Sequence, residues 1–161
     1  MQKTLSKFGL AILTIFLLSA FATPPSKSYK CMLQLVNYQG EGAYIIVSVL
    51  DAEGQYQETL RVIGKDAQWY PDLKEWYAYF TASKQEVDGL SGATIAGGER
   101  TVFSFHLNEK YINSEHVLRI ETAVEDQEYH IDDVKLPILA EAFSGKVEGS
   151  GYVRYIKLLE K

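Results

Sequence analysis

Several short runs in this chain alternate apolar and polar residues with a period of two, and that pattern confines it to folds built from sheets. Thr101, Phe103, Phe105 and Leu107 alternate with Val102, Ser104 and His106, and Leu118, Ile120, Thr122 and Val124 with Arg119, Glu121 and Ala123. Successive side chains on a strand point to opposite faces, so each run predicts a strand with one buried face. Cys31 to Tyr38 and Ala43 to Leu50 are runs rich in β-branched and aromatic residues, parted by Gln39-Gly40-Glu41-Gly42. Tyr56 to Ile63 follows the turn signal Asp51-Ala52-Glu53-Gly54, and Tyr152 to Leu158 closes the chain as a last strand. Eleven tyrosines and seven phenylalanines suit the same class. Six or seven short strands at these spacings predict a mainly β fold, a sandwich of two antiparallel sheets.

One segment breaks the pattern. Leu73, Trp76, Tyr77 and Phe80 recur at helical spacing behind Pro71 and Asp72, and Pro with an acid in the first turn favours a helix start. The spacing predicts a short inserted α-helix from Pro71 to about Ser83. Its aromatic stripe is expected to leave water by covering an open end or edge of the sandwich. Trp69, Trp76 and Tyr79 are therefore read first as packing residues and second as a platform for a planar ligand.

The N-terminus carries Lys3 and Lys7, an apolar run from Phe8 to Leu18, and the small-x-small sequence Ala20-Phe21-Ala22. These are the parts of a cleavable signal peptide over residues 1–22, and they predict an exported, periplasmic or extracytoplasmic protein cut before Thr23. The apolar run is shorter than the roughly 20 residues that span a bilayer comfortably. Thr23 to Tyr29, with Pro24 and Pro25, is expected as a flexible arm ahead of one domain over residues 30–161. Cleavage removes two lysines and no acid, so the formal charge moves from −5 to −7. That balance argues against nucleic acid and anionic lipid as partners. Cys31 is the only cysteine, which excludes an internal disulfide and a cysteine-based metal site.

Candidate chemistry is sparse. His106, His116 and His130 have no short ligand spacing, although His106 and His116 fall on neighbouring expected strands and could meet across a hairpin. Asp126, Glu128, Asp132 and Asp133 surround His130 and are read as a solvated turn, with a weak calcium site as the alternative. Neither a Ser/His/Asp set nor a phosphate-binding Gly loop nor a catalytic carboxylate pair stands out, and no enzyme is expected.

The segment Asp88-Gly89-Leu90-Ser91-Gly92-Ala93-Thr94 is different. Read as D-x-x-S-G-A-T, it resembles the acceptor signature of bacterial periplasmic proteins that receive FMN covalently. The resemblance implies that a flavin transferase, using FAD and a divalent metal, joins the FMN phosphate to the hydroxyl of Thr94. Gly92 and Ala93 would leave the transferase room to approach, and Asp88 would brace the turn. A Gly-containing structural turn is the plain alternative.

From about Gly42 to Leu158 the chain also resembles a bacterial periplasmic family known as a domain of unknown function, number 2271. The residues that carry the likeness are Tyr44 to Val49, Lys65-Asp66-Ala67-Gln68-Trp69, Asp72-Leu73-Lys74-Glu75-Trp76, Val87 to Thr94, and Gly98. It departs from the family pattern at Ile95-Ala96-Gly97-Gly98, at Phe105-His106-Leu107-Asn108 and at Ser114-Glu115-His116. The resemblance implies an immunoglobulin-like sandwich in an extracytoplasmic redox setting, beside a periplasmic FAD:protein FMN transferase and a membrane-embedded oxidoreductase of the PepSY type. Two functions follow as expectations. One is an electron carrier with FMN covalently attached at Thr94 and held near Asp88, Ser91, Gly92 and Ala93. The other is a non-redox sandwich that binds a protein partner, with the motif a structural turn.

Overall fold

The computed structural model describes residues 24–87 and 91–161. The stretch 1–22, read from the sequence as a signal peptide, and Asp88 lie outside the described residues. Among these there are eight strands: β1 (Ser26–Leu35), β2 (Tyr44–Leu50), β3 (Tyr56–Ile63), β4 (Arg100–Asn108), β5 (Val117–Ala123), β6 (Tyr129–Pro137), β7 (Lys146–Val147) and β8 (Val153–Glu160). One α-helix, α1 (Lys74–Ser83), lies between β3 and β4.

The strands form two antiparallel sheets, in the orders β4-β1-β8-β7 and β3-β2-β5-β6. Their inward rows share one core, in which Leu33 and Leu35 of β1 and Phe105 of β4 join Ile45 and Val47 of β2 and Ile120 of β5. The mainly β, sandwich-like arrangement expected from the alternating runs is the one observed.

β1 starts at Ser26, inside the stretch expected as a flexible arm. It lies between β4 and β8, where Tyr29 pairs with both Phe105 and Glu160 and is buried against Phe105 and Phe143. Pairing on two sides holds these residues in the sheet, whereas Pro24 and Pro25 have no N–H to offer a ladder.

The helix departs from expectation at its start and in its position. Asp66 caps a tighter 3₁₀ turn over Ala67–Asp72 and accepts from the Gln68 N–H. Pro71 falls within that turn and cannot donate, so helical bonding begins only with Tyr77 N–H to the Leu73 carbonyl at 2.8 Å. The aromatic stripe packs on the outer face of the second sheet and reaches its β3 edge, rather than covering an end of the sandwich. Tyr70, Leu73 and Trp76 meet Tyr44 and Ile46 of β2 and Val62 of β3. β2 is buried at every position, so its sheet needs cover on both sides. Beyond the helix, the Gln85 side chain bonds both the N–H and the carbonyl of Thr59 on the β3 edge, at 3.0 and 2.9 Å. Tyr79 donates to the Gln57 carbonyl on the same edge, which blunts it against further strand pairing.

The acidic cluster around His130 is a second correction. Only the stretch 125–128 turns; His130, Asp132 and Asp133 lie on β6. Asp133 is buried and accepts four bonds: from Thr122 Oγ1 at 2.6 Å and from the N–H groups of Ser150, Gly151 and Val153 at 3.1, 2.8 and 2.9 Å. It therefore ties one sheet to the segment that leads into β8 of the other. His106 and His116 do not meet across a hairpin either. His106 lies on β4 of one sheet, while His116 precedes β5 of the other and bonds Ser114.

Candidate functional site: the Thr94 loop and its cleft

Just past the end of β3, the Gly64 N–H bonds the Gly92 carbonyl at 2.6 Å. Gly64 has φ +118°, and a Cβ there would lie 2.0 Å from the Tyr44 ring, so only glycine lets the chain turn off the strand here. Three residues past Gly92, Ile95 forms an isolated antiparallel bridge with Ala43 and is buried in the core. The Tyr38 hydroxyl donates to the Ile95 carbonyl at 3.1 Å. Thr94 is thus held between two anchored points, on a loop crossing from one sheet toward the other.

Ala93 and Thr94 are exposed, while Ser91 and Gly92 are half-buried. The Thr94 side chain lies across the backbone of Gly42, where a Cβ would come within 2.5 Å of Oγ1. Gly42 therefore acts as a floor that limits where the hydroxyl can point. Thr94 makes no hydrogen bond to another described residue. At Gly92 a Cβ would meet only the Arg61 guanidinium, at 3.4 Å, and φ there is not positive. Space, rather than an unusual backbone angle, is what Gly92 provides.

Beside this loop is a cleft of about 320 Å³, at the low end of the roughly 300–1,000 Å³ of small-molecule sites. It lies where β3 of one sheet approaches β4 of the other, and Arg61, Gly92, Thr94, Arg100 and Phe103 are among its walls. Arg100 reaches Gln34 at 2.9 Å. Arg61 forms no ion pair with a described residue, and its buried Nε has no hydrogen-bond partner. An unsatisfied buried donor of this kind is destabilising by about 1–3 kcal/mol. The residues fit an anionic group: Thr94 and two arginines line one opening, against the single acid Glu99.

Sequence reasoning identified Ser91 to Thr94 but missed Arg61, Arg100 and Gly42, which lie far from the motif along the chain. The aromatic residues considered as a platform are occupied elsewhere. Trp76 is buried and donates to Thr59 Oγ1 at 2.9 Å, and Tyr79 stacks on Tyr56. Trp69 lines a separate cavity of about 290 Å³ with Asp72, Lys74 and Tyr129.

A buried polar group beside α1 also escaped the sequence reading. Glu121 of β5 is fully buried and receives the hydroxyls of Tyr56, at 2.5 Å, and Tyr129. Burial pushes its carboxyl up to about 6, against the pull of both donors and of Arg119, which lies 3.9 Å away and also bonds Asp132. Burial and the Glu121 charge both raise the two tyrosines, so they remain donors. Burial likewise pushes the Cys31 thiol up to about 12. Among the described residues no group of three His, Cys, Asp or Glu side chains is placed to hold a metal, and no helix is long and apolar enough to cross a membrane.

No curated protein and no solved structure matches the chain. The model of one family, described as predicted periplasmic protein (DUF2271), matches residues 26–155. That match takes in β1 to β7, the start of β8, the helix and the Thr94 loop, and the chain belongs to the DUF2271 family of predicted periplasmic proteins.

Proposed function

We propose that this protein is an exported electron carrier that holds FMN in phosphoester linkage on Thr94. In this reading residues 1–22 direct export and are removed, a periplasmic FAD:protein FMN transferase loads the domain, and a membrane-embedded oxidoreductase of the PepSY type exchanges electrons with it. One observation carries the reading: Thr94 is exposed, with a hydroxyl that makes no bond to a described residue, on a loop anchored on both sides. A structural turn would instead be expected to bond that hydroxyl within itself.

Thr94 Oγ1 forms the new bond to the FMN phosphorus of FAD. The pyrophosphate P–O bond breaks, AMP leaves, and the hydroxyl proton passes to a base of the transferase. Gly42 orients the hydroxyl, and Gly92 and Ala93 leave the approach open. When bound, FMN supplies electron transfer at its isoalloxazine ring. The test is peptide mapping after co-production with the transferase: the peptide holding Thr94 is expected to gain the mass of FMN less water. Loss of that gain in Thr94→Ala and its return in Thr94→Ser would assign the site, whereas a gain that survives Thr94→Ala would remove Thr94 from the account.

We also read the fold as immunoglobulin-like. The strand order supports this. β3-β2-β5-β6 follows the C′-C-F-G order of such domains and β4-β1 follows E-B, with the C-terminal β8 in the place of the first strand.

A further inference from the structure

We propose that Arg61 and Arg100 make the cleft beside Thr94 a receptor for a phosphate group, so that a phosphorylated ligand binds there before and independently of any covalent bond. The inference deepens the proposed function, on which the choice of FMN as the ligand rests. Arg61 belongs to β3 and Arg100 to β4, edge strands of different sheets, so residues of two separate scaffolds line one opening. Arg100 is steadied by Gln34, and one such bond leaves most of its five N–H donors unused. Arg61 has no ion pair with a described residue and keeps a buried, unpartnered Nε–H, while its Nη2 faces the Gly92 backbone.

Two cations sharing a cleft repel each other, and a doubly charged oxyanion between them relieves that repulsion. Planar guanidinium groups match phosphate oxygens through paired N–H donors, which a carboxylate-sized group would not satisfy from two directions at once. Glu99 is the acid in the wall, and its Oε2 accepts the Ala96 N–H at 3.1 Å. Two arginines against one glutamate make the lining net positive in a chain of net charge −5. Thr94 lines the same cleft, so a phosphate held by the arginines lies beside the hydroxyl that would carry it.

The test uses full-length protein produced without a flavin transferase, titrated with FMN and with riboflavin, which lacks the phosphate. FMN is expected to bind at least about tenfold tighter than riboflavin, with the preference eroded by salt and by inorganic phosphate. Arg61→Gln and Arg100→Gln are each expected to collapse the preference toward one, and Thr94→Ala to retain it. Arg100 is exposed, so its variant gives a reading even if Arg61→Gln folds poorly. Equal binding of the two flavins by the unsubstituted protein, or a preference untouched by Arg100→Gln, would overturn the inference. A phosphate preference without attachment at Thr94 would sink the carrier reading and leave the receptor standing. Attachment without any preference would do the reverse.

Discussion

Single residues decide both the candidate chemistry and the pH response. Gly92 needs space rather than an unusual φ, so Gly92→Leu is expected to fold normally yet block flavin attachment, as read by intact mass alongside the thermal midpoint. Glu121 makes a separate prediction. Its carboxyl titrates near 6 in the folded protein against 4.5 ordinarily, so the native state binds more protons than the unfolded chain across that window. The contribution is complete below about pH 4.5 and is lost as pH rises through about 6. Relative to Glu121→Gln, wild-type stability in urea is expected to fall by on the order of 2 kcal/mol between pH 4.5 and 7. A flat difference would show that the carboxyl is not desolvated. Asp133 has all four of its accepting sites filled from β5 and the segment leading to β8, and Asn would turn an N–H₂ toward two donors. Asp133→Asn is expected to lower stability by roughly 2–4 kcal/mol, measured as a shift in urea midpoint at unchanged slope.

The strands were legible where one face is apolar and the other polar, as in β4, whose Phe103, Phe105 and Leu107 are buried while Val102, Ser104 and His106 are exposed. β6 was not legible, because Asp133 occupies a buried position and a binary pattern counts every aspartate as solvated. The helix was legible as a stripe, but its position was not. Only the full burial of β2 reveals that the second sheet has an outer face in need of cover. Trp76 stacks on half-buried Phe80 at 4.9 Å and contacts Tyr70 edge-on. Trp76→Ala is expected to cost about 3–5 kcal/mol and Phe80→Ala less, by chemical denaturation. Equal small losses would mean that the stripe does not seal the sheet. Of the candidate site, the motif could be read locally. Arg61 and Arg100 could not, because the approach of β3 to β4 is a tertiary event between residues 39 positions apart in number.

At the scale of the whole molecule, net charge proved a coarse guide. The rows of β1, β4 and β8 that point away from the core carry Lys30, Arg100, His106 and Lys157 and no acid, although the chain has a net charge of −5. An anionic partner is therefore not excluded by composition, and over the roughly 8–10 Å that salt leaves unscreened the local patch matters more than the total. The Thr94 cleft opens where this sheet meets the other, and Arg100 belongs to both features. Under the proposed function the domain carries FMN at that point. Exporting the protein from a host with an active flavin transferase, then recording intact mass and visible absorption of the purified product, decides this. A yellow protein with one FMN per chain is expected, the flavin staying on through denaturation and being absent from Thr94→Ala. A colourless protein of unmodified mass, produced beside a transferase that modifies its own known acceptor, would contradict it.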